Sequence, residues 1–113
     1  MIKTALIGLS LIASSILPTS AHDGTMLASW YGSYFHGRTT ANMETYDMYG
    51  LTAAHKSLPF GTRLRVCYKG CVDVRINDRG PYVVERELDL SYGAAKQIGL
   101  DAPGVDYVKI TYL

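Results

Sequence analysis

Two carboxylates stand where a short protein could use them for chemistry. Asp78 lies in the turn-like segment Asn77-Asp78-Arg79-Gly80-Pro81, just past an alternating run. Glu44 stands in the middle of a long stretch, Gly32 to Gly50, rich in Gly, Thr, Asn, Asp and Tyr. Two acids of this kind can do general acid–base work. One supplies a proton to a leaving group, and the other sets a negative charge beside a cationic transition state. The donor must hold its proton near neutrality, which takes a raised pKa. Each residue also has an ordinary reading. An Asp in a turn caps backbone N–H groups, a loop Glu is solvated, and His55, closing the apolar run Leu51 to His55, is by itself a satisfied structural histidine. His22, His36 and His55 lack paired metal-ligand spacing, and two cysteines are too few for a structural zinc site. No metal or other cofactor is expected.

The elements that position these side chains belong to a small chain. It has 113 residues, enough for one domain. Basic and acidic residues number 11 and 10, so the basic excess of a nucleic-acid binder is missing. Lys3 precedes an apolar run from Ala5 to Leu17, Pro18 breaks the run, and Thr19-Ser20-Ala21 offers small residues before a cut. This is the three-part form of a secretory signal peptide over 1–21, too short to span a membrane. The domain is then 22–113. It contains Cys67 and Cys71 around Tyr68-Lys69-Gly70. In an exported chain a disulfide between them is the default, worth about 2 kcal/mol for so short a loop.

The domain reads as mostly strand. Thr25 to Tyr31 forms a first short strand and Leu51 to His55 a second. Arg63 to Val66 and Val72 to Ile76 alternate polar and apolar residues and make a hairpin about Lys69-Gly70. Glu87 to Leu90 and Val105 to Leu113 are further strands, the last with Val108, Ile110 and Tyr112 on one face. One helix follows Ser91, a good N-cap, through Ala94 to Gln97, and stops at Gly99. Short strands at this spacing suggest a small barrel or sandwich. The 9 tyrosines against 2 phenylalanines and 1 tryptophan suit strands, and also suit a wet groove.

Several blocks, in order, resemble a known family. They are Ala28-Ser29-Trp30-Tyr31-Gly32, Phe35 to Asn42, Glu44-Thr45-Tyr46-Asp47-Met48, Leu51 to Lys56, Leu58 to Thr62, Val74 to Pro81 and Leu88-Asp89-Leu90-Ser91. Their spacing is similar to that of the rare lipoprotein A (RlpA) family. The resemblance implies an all-β fold, a six-stranded double-psi β-barrel with one or two short helices. It implies a lytic transglycosylase that cuts between N-acetylmuramic acid and N-acetylglucosamine in peptidoglycan, preferring peptide-stripped strands and leaving 1,6-anhydro ends. The family's functional residues carry over onto Glu44, His55 and Asp78. Asp78 is then the general acid and Glu44 its partner at C1 or at the 6-hydroxyl, or the two carboxylates exchange these roles, and His55 is a residue that bonds a carboxylate and tunes it. Arg79, Tyr82 and Tyr34 are expected to touch sugar, and Tyr46 to shape the loop or touch sugar. Trp30 and Tyr31 are divided between strand core and groove, Phe35 belongs with the groove aromatics, and Asn77 and Asp89 are expected to satisfy backbone groups.

A monomer whose partner is the glycan strand is expected, and the leader with no cysteine for lipid attachment near the cut makes it periplasmic or secreted. Met43 stands where the family usually has Gly, and the Cys67–Cys71 hairpin replaces a longer turn. The competing reading is a non-catalytic, expansin-like wall-binding module. A secreted effector or inhibitor and a water-dependent glycosidase are further alternatives.

Overall fold

The computed structural model describes residues 24–113; the expected leader over 1–21 lies outside the described residues. Six strands are present: β1 (Gly24–Tyr31), β2 (Thr52–His55), β3 (Arg63–Cys67), β4 (Cys71–Asp78), β5 (Leu88–Ser91) and β6 (Asp106–Tyr112). A short 3-10 turn (Ser33–Phe35) follows β1, and an α-helix, α1 (Tyr92–Ile98), follows β5. The strands close into a barrel in the order β1-β5-β2-β4-β3-β6. Two pairs are parallel, β1 with β5 and β2 with β4, and the other four are antiparallel. Parallel neighbours need crossover connections. Here the two crossovers wrap the barrel, and the fold is a six-stranded double-psi barrel.

Alternation in the sequence fills the interior. Leu64 and Val66 of β3, Val72, Val74 and Ile76 of β4, and Val108 and Ile110 of β6 are buried, while Arg63, Arg65 and Arg75 between them face out. Leu88 and Leu90 of β5 and Ala28 and Ala53 complete the core. Helix α1 adds Ala94, Ala95 and Ile98 and packs against β4, β5 and β1. Its ends are those the sequence predicts. The Ser91 Oγ accepts from the Ala94 N–H at 3.2 Å, and Gly99 takes the left-handed C-cap.

Gly93 has a different reason to be glycine. A β-carbon there would stand 2.6 Å from the Tyr49 carbonyl oxygen, so the end of the long loop packs directly on the helix backbone.

The hairpin between β3 and β4 is closed as expected. Cys67 and Cys71 are cross-strand partners joined by a disulfide. They lie at the far end of β4 from Asp78. Reduction is therefore expected to lower stability by about 2 kcal/mol without unfolding the barrel. Thermal melts with and without reductant check this.

Candidate active site

The candidate site begins with an irregularity. Along β2 and β4, Ala53 is the partner of Ile76, but Ala54 is the partner of Asp78, so Asn77 is an extra residue on β4. A bulge of this kind re-aims the side chain that follows it. It brings Asp78 into a row with Ala54, which in turn pairs with Asp89 on β5. Asp89 pairs with Ser29 on β1. Paired residues on neighbouring strands share a face, so the row reads Ser29, Asp89, Ala54, Asp78. The two acids flank the smallest side chain of the row. With strands about 4.8 Å apart, their backbones are separated by roughly 10 Å. Both line one open cleft of about 440 Å³, with Tyr31, Phe35, Thr39, Arg79, Tyr82 and Val83 among its walls.

The two acids differ in environment. Asp78 accepts from the Ala41 N–H at 2.8 Å, its neighbour Arg79 N–H at 2.9 Å and the Tyr31 hydroxyl at 3.4 Å. Asp89 accepts from the Ser29 hydroxyl at 2.9 Å. Burial pushes the Asp89 carboxyl up to about 6, and the nearby Asp78 adds to the rise against the opposing pull of Ser29 and Arg86. Tyr31 is raised as well, by burial first and by Asp78 second, so its hydroxyl remains a proton donor. Its ring stacks on Tyr46 at 4.4 Å.

Glu44 is held elsewhere. Arg75 Nη1 donates to its Oε2 at 2.7 Å and Asn77 Nδ2 to its Oε1 at 3.1 Å. These bonds hold its carboxyl at about 2, with Arg75 the largest cause. A lowered carboxylate contributes stability above its unfolded value, near 4.5, that is lost as pH falls through about 2. The pair is half-exposed, so its worth is at most about 1 kcal/mol. The contact anchors the loop that places Thr39 and the Ala41 N–H beside Asp78, together with the bond from Asn42 N–H to the Asn77 carbonyl. Glu44→Gln is expected to cost less than about 1 kcal/mol of stability and about 10- to 100-fold in turnover by misplacing that loop. Thermal melts and kinetics on the same protein check both.

Met43, beside it, carries φ 74 and is 81% exposed. The left-handed backbone costs a non-glycine residue roughly 1 kcal/mol and no side-chain packing repays it, while Asn tolerates it better. Met43→Asn is expected to raise stability by about 0.5–1 kcal/mol, read from chemical denaturation.

The family described as lytic transglycolase matches residues 24–112. The chain belongs to that family. Over 86 residues it is 52% identical to the endolytic peptidoglycan transglycosylase RlpA of Pseudomonas aeruginosa, covering 74% of this chain and 25% of that one. Over 87 residues it is 53% identical to a probable endolytic peptidoglycan transglycosylase RlpA of a Synechocystis strain, covering 74% of this chain and 27% of that one. The chain spans about a quarter of the length of these curated relatives. Among solved structures, an expansin of Clavibacter michiganensis matches with TM-score 0.64 and 25% identity, over 80% of this chain and 50% of that one.

Within this lytic transglycolase barrel the expected residues gather only in part. Asp78, Arg79 and Tyr82 line the cleft; Glu44, His55, Tyr34 and Tyr46 are not among its lining residues. Tyr46 is 2% exposed and donates to the Tyr31 carbonyl, so it braces the loop from inside. Tyr34 is exposed and carries the Arg38 guanidinium over its ring at 4.4 Å. The His55 Nδ1 accepts from the Ser57 and Leu58 N–H groups, both at 3.1 Å, instead of bonding a carboxylate. Burial lowers its pKa, which suits the neutral ring those bonds require. Trp30 packs against the core and donates to the Asp101 carbonyl at 3.3 Å.

Asn77 gives its side-chain amide to Glu44. Asp89, expected to serve backbone groups, instead faces the cleft and takes the Ser29 hydroxyl. The signal that could have found it is parity. Asp89 lies between two buried leucines, on the opposite face of its strand. No group of three or more His, Cys, Asp or Glu able to hold a metal occurs among the described residues.

Proposed function

We propose that this chain is an endolytic peptidoglycan transglycosylase whose reaction runs between Asp89 and Asp78. The observation that carries the reading is that row of the barrel, with two acids flanking Ala54 in one cleft, one of them able to keep its proton up to about pH 6. Asp89 gives its proton to the glycosidic oxygen as the bond from C1 of the muramic residue breaks. Asp78, whose carboxylate accepts from the Ala41 and Arg79 N–H groups and the Tyr31 hydroxyl, offsets the positive charge at C1 and takes the proton of the muramyl 6-hydroxyl as that oxygen closes onto C1. One C–O bond breaks, one forms, and a 1,6-anhydro end is left without water entering. This divides the roles differently from the sequence expectation, because Asp89 is the acid with the environment of a proton donor and Glu44 is already held ionised by Arg75. Glu44 and His55 act as positioning residues, the first through the loop at Ala41 and the second through the carbonyl it offers to Arg79.

The relatives named as peptidoglycan transglycosylases support the substrate. The signal-peptide pattern supports a periplasmic or released protein, and no helix among the described residues is long and apolar enough to cross a membrane. The test is digestion of intact and peptide-stripped sacculi by purified protein, with products read by mass spectrometry. Anhydro-muramic ends are the expected result, without label from isotopic water. Labelled products point to a hydrolase. The shared barrel of an expansin favours one alternative, a wall-binding module; firm binding to sacculi with no released fragment from any substrate decides for it.

A further inference from the structure

Among the described residues lining the cleft, Arg79 is the one basic side chain, and it is fixed in a particular way. Its guanidinium lies over the Phe60 ring, 3.9 Å from the centroid. Its Nη1 donates to the His55 carbonyl at 3.2 Å and to the Asp78 carbonyl at 3.4 Å. Within the described residues no carboxylate forms an ion pair with it; the ion pairs there join Arg65 to Asp73 and Arg75 to Glu44. Its Nε and Nη2 meet no protein acceptor among those residues. A guanidinium edge carrying two parallel N–H groups fits a carboxylate bidentately. Stacking and the two carbonyl bonds hold the fork in advance, so little rotamer freedom is lost when a ligand arrives.

We propose that Arg79 is a specificity residue that binds a carboxylate borne by the sugar itself, the free lactyl acid of a muramic residue without its peptide. This rests on the transglycosylase reading. In an intact strand that carbon is an amide, which is neutral and extends into a peptide chain. In a stripped strand it is an anion of the size and geometry that the free Arg79 edge matches. Asp78 and Asp89 repel an anion placed at random in the cleft. A carboxylate is therefore accepted only where Arg79 meets it, which also fixes which sugar ring lies over the two acids.

The experiment compares two substrates and two readouts. Peptide-stripped glycan oligosaccharides are used as the free acid and with their lactyl carboxyls converted to methylamides. Wild type is expected to show at least tenfold higher kcat/KM, and tenfold tighter binding by calorimetry, for the free acid. Arg79→Gln is expected to bring both ratios near one, and Arg79→Lys to keep part of each. A residue that only braced the His55 and Asp78 carbonyls would lower both substrates together and leave the ratios alone.

Equal kcat/KM for the two substrates in an active wild type overturns the assignment and leaves the transglycosylase reading standing. So does a ratio that survives Arg79→Gln. An inactive wild type that still binds the free acid tenfold tighter supports the assignment and overturns the transglycosylase reading. Absence of both turnover and binding overturns the two together.

Discussion

Asp89→Asn is expected to abolish turnover and yet give a more stable barrel. An amide keeps the shape and still accepts from Ser29, so the fold has no reason to fail. It cannot release a proton to a leaving oxygen, and loss of a positioned acid costs about 10²- to 10⁴-fold. The stability gain follows from linkage. The carboxyl rises from 3.8 unfolded to about 6 in the barrel, mainly by burial. The folded state thus holds the proton more tightly. The stability this provides is fully present below 3.8 and is lost as pH rises through about 6. Above that, wild type carries a half-buried charge that Asn lacks.

The shift corresponds to an upper value of about 3 kcal/mol, and contact with the open cleft reduces it to about 1–2 kcal/mol. The gap between mutant and wild type should open between about pH 4 and pH 6 and close below pH 4. Urea titrations across that range measure it. Wild-type turnover should fall above about pH 6 on the same group. A mutant with near-wild-type turnover removes Asp89 from proton transfer.

Asp78→Asn is expected to lose about 10²- to 10⁴-fold in kcat with a much smaller change in KM. The charge opposite C1 goes, but the amide oxygen still accepts from the Ala41 and Arg79 N–H groups, so the loop stays placed. Stability should move by no more than about 1 kcal/mol, the scale of one hydrogen bond, since the Tyr31 hydroxyl is the partner most disturbed. Kinetics on stripped strands and near-ultraviolet circular dichroism separate loss of chemistry from loss of fold. A KM effect with kcat unchanged assigns Asp78 to binding alone.

Much of the scaffold was legible before any coordinates. The β3–β4 hairpin, its disulfide, and helix α1 with its Ser91 and Gly99 caps are local features, set by residues a few positions apart. The family blocks supplied the closure of the barrel, which alternation alone left open between barrel and sandwich. The site was legible only in part. Asp78 stands out by its turn, whereas the alternation of Asp89 with Leu88 and Leu90 tells only that it faces away from the core, not that a cleft lies there.

The chain's residues determined by themselves the strands, the turns, the helix caps and the acid at Asp78, because each depends on neighbours along the backbone. The tertiary structure alone decided which acids share a cleft. One inserted residue, Asn77, turns Asp78 into the row of Ala54, and two parallel pairings bring Asp89 and Ser29 into that row. The same packing ties Glu44 to Arg75 and leaves Asp89 half out of water. Burial and pairing across distant strands fix where a proton can be held, and neither is a property of residues near one another in sequence.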